Sequence, residues 1–154
     1  MSKWLIKSFT QVLLRTLAFF ARRPRLVRVS DFLTRSLARL AVRTKAIGRA
    51  SDVAALGPLW QRSFPSKKQV PIVSISDSTV IAQIRTRCPL RGSGDVHACY
   101  RMMEFDREVL RHAGGQFVVL ESQATPGITV CRVAMRLQGQ PLTGLVAAHE
   151  QERR

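Results

Sequence analysis

The chain has 154 residues, 45% of them apolar, and a mean hydropathy of -0.02. That suits one core of ordinary size with an appendage and argues against a polytopic membrane protein. Three cysteines with no CxxC pair argue against a disulfide scaffold and for a reducing compartment, which points to a cytoplasmic protein. The net charge of +15 is lopsided: residues 1–70 hold 15 Lys/Arg against Asp31 and Asp52, whereas residues 71–154 hold 10 Lys/Arg against 8 acids. A basic first half beside a balanced second half implies an N-terminal partner of negative charge, either lipid headgroups or nucleic acid.

Residues 3–21, KWLIKSFTQVLLRTLAFFA, place Leu5, Phe9, Val12, Leu13, Leu17 and Phe20 on one side of a helix and Lys7, Gln11 and Arg15 on another. Lys7 and Arg15 interrupt the roughly 20 apolar residues that a membrane span needs. An interfacial helix fits better, with Trp4 near one end and cationic flanks. Arg22-Arg23-Pro24 ends it. A second helix is expected from Ser30 or Asp31 to near Gly48, with Phe32, Leu33, Leu37, Leu40 and Ala41 as its apolar face and Arg35, Arg39 and Arg43 as a basic stripe. Segment 1–48 therefore reads as basic amphipathic helices. Trp4, Lys7, Arg15, Arg22, Arg23, Arg35, Arg39 and Arg43 are the residues expected to meet an anionic membrane surface, such as the inner membrane, or a larger protein complex. The competing expectation is that both helices pack on the chain's own core with their arginines solvated. The first 30 residues, acid-free and bearing arginines and serines, also match the composition of a mitochondrial transit peptide. Nucleic acid ranks below a membrane, because Trp4 and Trp60 form no ordered aromatic–basic alternation.

A third, shorter helix is expected from Asp52 to Phe64, with Pro58 as a kink or restart, followed by the polar linker SFPSKKQVP. Residues 49–138 then read as an α+β domain with the order β-β-α-β-β and a mostly antiparallel sheet. Its expected strands are Val70–Ile75, Thr79–Arg87, Gln116–Glu121 and Ile128–Leu137, and its long helix runs from an Asp95 cap to His112. Residues 139–154 have no clear period and read as a tail that frays.

The stretch TRCPLRGSGDVHACYRMMEFD, residues 86–106, gathers Cys88, Cys99, His97 and three acids. On the long helix, Arg101, Glu104, Glu108 and Arg111 share a face of mixed sign that reads as solvated. Cys99, Met102, Met103, Val109, Leu110 and Ala113 form the apolar face, with Asp106 in its middle. A buried carboxylate needs a partner, so Asp106 is expected to meet an arginine, a backbone donor, a metal or a ligand. Cys131 shares the core side of the last strand with Val133 and Met135, so all three thiols are expected to converge if the helix packs there. Cysteine-dependent hydrolysis would use Cys88 or Cys99 as nucleophile, Asp106 to orient or activate it and His97 as the base, with a Cys88–His97 pair possible through the loop. His97 and Cys99 point about 200° apart on a helix, which weakens a dyad between them. The three cysteines with His97 or Asp106 would also supply zinc ligands, though buried inert thiols are the commoner outcome. His112 and His149 read as solvated.

A strand ending R-x-R-Cys88-Pro89-Leu90, a helix carrying Cys99 and Asp106, and the closing Gly127 and Cys131 resemble the L-2-amino-thiazoline-4-carboxylic acid hydrolase-like family. They are more distantly similar to vinyl-reductase-type small-molecule-binding domains. The chain departs from the first family where Gly127-Ile128 stands in place of a Gly-Asp pair. The resemblance implies a pocket between sheet and helices that takes a small organic ligand, lined by Cys88, Cys99, Met103, Asp106 and Cys131, with hydrolase-like chemistry. The alternative is a non-enzymatic accessory or assembly protein, held to a membrane or a larger complex by its basic N-terminal helices.

Overall fold

The computed structural model describes the backbone of residues 3–151 and the side chains of residues 11–151 other than Pro24. The side chains of Trp4 and Lys7 lie outside the described residues. The elements are α1 (Lys3–Ala21), α2 (Val27–Thr44), α3 (Val53–Gln61), β1 (Ile72–Ile75), β2 (Val80–Ile84), α4 (Val96–Met102), α5 (Glu104–His112), β3 (Gly115–Glu121), β4 (Cys131–Leu137) and α6 (Ala148–Gln151). The fold is α+β. Its sheet has the order β1-β2-β4-β3 with every neighbouring pair antiparallel. Strands β2 and β3 thus run parallel on either side of β4, with α4 and α5 between them in sequence. That separation is why a crossover of two helices, rather than a hairpin, joins them.

Helix α3 starts where Asp52 caps it, Oδ1 accepting the Ala55 amide at 2.9 Å, and it continues through Pro58 to Gln61. It packs with α5 against the sheet, and Trp60 and Leu56 are fully buried beneath it. The Trp60 ring lies 4.9 Å from Phe64 and 6.0 Å from Phe117 between centroids. Truncating a tryptophan so placed costs about 3–5 kcal/mol. Gly115 opens β3 where a Cβ would stand 2.7 Å from Leu56 Cδ2 and 2.9 Å from Leu110 Cδ1, so a larger residue would have to displace both leucines for α3 and α5 to close over the strand.

Several sequence expectations are corrected. The long helix is two: Met103 ends α4 and begins α5, with φ −73 and ψ 5. The break turns Glu104 inward toward α2 and leaves Asp106 facing α3. Of the face of Arg101, Glu104, Glu108 and Arg111, only Arg111 is exposed; Glu104 is buried at 6% exposure, and Arg101 and Glu108 are half-buried. Helix α2 starts at Val27 without a side-chain cap and ends at Thr44. Its buried positions are Ser30, Thr34, Ala38 and Val42, while Phe32 and Leu40 of the expected apolar face are exposed. Small residues let α2 lie close to α5, and ion pairs rather than large apolar side chains flank the seam. On α1, Leu17 is buried but Val12 is exposed. The tail folds back: Ala147 and Ala148 are buried, and Arg136 donates to the carbonyls of Pro141 and Thr143. His149 is accordingly half-buried, its ring 4.0 Å from Tyr100 and 6.1 Å from His97.

Candidate functional site: an arginine-lined cavity beside Cys88

Strand β2 stops at Ile84, and the chain turns through Cys88-Pro89-Leu90 before Asp95 caps α4 by accepting the Ala98 amide at 2.7 Å. Leu90 is fully buried and anchors the turn. Gln123 holds it from the other side. Its Nε2 donates to the carbonyls of Ile84 (3.1 Å) and Thr86 (2.9 Å), and its Oε1 accepts the Cys88 amide at 3.2 Å. The same oxygen accepts Arg91 Nε and Nη2 at 2.9 and 2.7 Å, and Arg91 Nη2 also reaches the Thr129 carbonyl at 2.6 Å. The fully buried Gln123 therefore spends both ends of its amide on this loop.

Across from the loop lies the second half of α1, whose last turn is fixed by Arg101 donating to the Ala21 carbonyl. Between them is a cavity of about 810 Å³ lined by Gln11, Arg15, Ala18, Phe19, Arg22 and Arg23 of the helical side and by Arg87, Cys88, Pro89 and Arg91 of the loop. Five of these are arginines and none is acidic. The Arg23 guanidinium lies 3.6 Å from the centre of the Phe19 ring. Concave surface lined by one sign of charge focuses its field on ligands of the opposite sign.

Cys88 is half-buried at the cavity wall. Burial pushes its thiol up, against the Leu90 amide donating to Sγ at 3.4 Å and the nearby charges of Arg91 and Arg22. Cys99 and Cys131 are both buried in the core behind Cys88, within electrostatic reach of its thiol, and there the Gln123 backbone N–H donates to Cys131 Sγ at 3.3 Å. Their mutual hydrogen bond lowers the Cys99 thiol against its burial, with Ser122 adding to it, and raises Cys131, which burial raises further. Met103 is buried in the same core, and Cys88 packs against that core from its edge. None of Cys99, Met103, Asp106 and Cys131 lines the arginine cavity.

Asp106 is buried and accepts the Trp60 indole Nε1 at 2.8 Å. Burial pushes its carboxyl up to about 6, against the hydrogen bond from Trp60 and the charge of Arg107. Arg35 and Arg39 of α2 pair with Glu104 (2.8 Å) and Glu108 (3.2 Å) of α5. Arg107 and Arg111 also pair with Glu104, at 2.8 and 3.7 Å. Among the described residues, the ion pairs involve arginines of α2, α5 and β4, and none involves the five at the cavity. Arg43 is exposed on α2. Among the described residues, no three His, Cys, Asp or Glu side chains gather to hold a metal ion, and no helix is long and apolar enough to cross a membrane.

Gln123, Trp60, Phe19, Arg87 and Arg91 are the residues that sequence reasoning missed. The arginines flanking Cys88 in RTRCPLR were visible as a cluster, but nothing in the sequence brings α1 onto them. Gln123 carries no local signal at all. Comparison of the chain with protein-family models, with curated proteins and with solved structures returns no match.

Proposed function

We propose that the chain binds a small acidic organic molecule in the cavity between the second half of α1 and the Arg87–Arg91 loop. The observation that carries this is the gathering of Arg15, Arg22, Arg23, Arg87 and Arg91 around one cavity, with no carboxylate among the described residues that line it. Guanidiniums offer paired N–H donors to carboxylate or phosphate oxygens. Phe19, Ala18 and Pro89 give the rest of the ligand apolar surface. The resemblance to the L-2-amino-thiazoline-4-carboxylic acid hydrolase-like family supports a small-molecule function through Cys88-Pro89-Leu90. Cysteine-dependent hydrolysis would make Cys88 the nucleophile, but the lining sets guanidiniums and Gln11 beside it and does not include Asp106 or Cys99. Binding is therefore the function adopted. Native mass spectrometry of the purified chain tests it: an organic acid retained by the native chain and lost from the Arg22→Ala/Arg23→Ala variant supports it. A bare polypeptide mass, together with no binding from a panel of small organic acids, overturns it.

A second function, attachment to an anionic membrane surface through the basic N-terminal helices, is favoured by a different observation. Val12 and Phe19 on α1 and Val29, Phe32 and Leu40 on α2 are exposed among arginines, the composition of an interfacial helix. Phe19→Ser/Phe32→Ser should abolish co-sedimentation with anionic vesicles, and unchanged partitioning would reject it.

A further inference from the structure

The charge of the basic half is not uniform in its surroundings. Arg35 and Arg39 are met by Glu104 and Glu108, which lie on α5 under α2. Among the described residues, the arginines of the α1 cavity meet no such acids, and two of them are held in place already. Arg91 is fixed by Gln123 and the Thr129 carbonyl, and Arg23 lies on the Phe19 ring. A monocarboxylate brings one charge and two oxygens, enough for a single guanidinium fork. Five guanidiniums about one cavity call for more charge and more oxygens than that. A phosphate monoester carries nearly two negative charges at neutral pH and three terminal oxygens, and it accepts several charge-assisted hydrogen bonds at once. Holding guanidiniums in place before binding also reduces the ordering cost that a flexible cluster would carry.

We propose that the acidic group taken by this cavity is a phosphoryl group, borne by a soluble phosphate ester or by a phospholipid headgroup. This rests on the cavity being a ligand site, as argued above. The soluble source would set its organic part against Phe19, Ala18 and Pro89. The lipid source would set its acyl chains beside the exposed Val12 and Phe19, which stand two turns apart on α1.

Isothermal titration of the full chain with phenyl phosphate, phthalate and benzoate tests the chemistry. Phthalate matches the charge of phenyl phosphate without its phosphorus. The expected result is saturable binding of phenyl phosphate about tenfold or more tighter than phthalate. Arg22→Ala/Arg23→Ala should weaken it by about tenfold or more, since each loses charge-assisted bonds. Lys67→Ala/Lys68→Ala, which removes the same charge from an exposed turn, should leave it unchanged. Both variants should retain the far-ultraviolet circular dichroism spectrum of the native chain. Phthalate or benzoate binding as tightly as phenyl phosphate, with the same dependence on Arg22 and Arg23, would overturn the phosphoryl assignment and leave the cavity as a site. Equal weakening by the two double variants, or no binding of any of the three anions, would overturn both. Vesicles of phosphatidylcholine with about one fifth phosphatidic acid separate the sources. Sedimentation with them that phenyl phosphate displaces assigns the lipid. Binding of phenyl phosphate without sedimentation assigns the soluble ester.

Discussion

The indole nitrogen of Trp60 donates to Asp106 Oδ1 at 2.8 Å, tying α3 to α5 through one buried hydrogen bond. The pair answers what a lone acid does in an apolar helix face: it takes a neutral donor from the neighbouring helix. Trp60 gives away its single N–H, and neither side chain lines the arginine cavity.

The raised carboxyl of Asp106 has a stability consequence. Burial lifts it to about 6 from an ordinary 3.8, so the fold favours the neutral acid. The stabilisation from this group is full below about pH 4 and is lost as pH rises through about 6. At neutral pH the ionised form costs on the order of 3 kcal/mol relative to an unperturbed carboxylate. Asp106→Asn keeps an oxygen acceptor for Trp60 and removes the ionisation. Denaturant titration should therefore find the variant more stable than the native chain at pH 7, with the difference shrinking towards pH 4. A difference that does not change with pH would refute this.

Glu104 works in the opposite direction. Burial would raise its carboxyl, but hydrogen bonds and charge from Arg107 and Arg35 outweigh that and hold it below the ordinary carboxylate range. Its stabilisation is present at neutral pH and is lost as pH falls through its lowered value. Glu104→Ala unlatches α2 from α5 and should cost about 2–3 kcal/mol in denaturant titrations at pH 7, less than a fully buried pair because Arg35 is half exposed. Arg39→Ala, at the more exposed pair, should cost under about 1 kcal/mol.

Gln123 holds the cavity loop, so Gln123→Ala should strip it of five hydrogen bonds made by one side chain. The buried carbonyls of Ile84 and Thr86 lose their amide donor, and a destabilisation of about 2–4 kcal/mol is expected. Gln123→Glu, matched in shape, keeps an acceptor for Arg91 but turns the donor at Ile84 and Thr86 into a repelling oxygen. It should destabilise at least as much, as read from thermal melts; a harmless Gln123→Glu would mean that Arg91 alone fixes the loop.

Much of the α+β framework was legible because strand alternation at Val80-Ile81-Ala82 and the Asp52 and Asp95 caps are local signals. The partner required by Asp106 was legible too, as a chemical necessity. Its identity was not, because Trp60 lies 46 residues away and is brought there by the packing of α3. The inner face of α2 was misread because Ser30, Thr34 and Ala38 carry no apolar pattern; close helix approach and ion pairs do the work expected of Phe32 and Leu40. The mixed-sign face of α5 looked like solvated surface because sequence spacing shows pairs along a helix and not the second helix laid over them. The cavity is tertiary in the same sense, since Arg15 and Arg22 meet Arg87 and Arg91 only once α1 has docked.

The central claim, a small acidic ligand held against Cys88 by arginines, is tested most directly by the alkylation rate of that thiol. Cys88 is half-buried at the cavity wall, whereas Cys99 and Cys131 are buried, so N-ethylmaleimide should modify Cys88 first under native conditions. Peptide mapping should show that at least one member of a panel of small organic acids and phosphate esters slows modification of Cys88. That protection should disappear in Arg22→Ala/Arg23→Ala. Modification of Cys88 at the same rate with every member of the panel, in a chain that remains folded, would contradict the account.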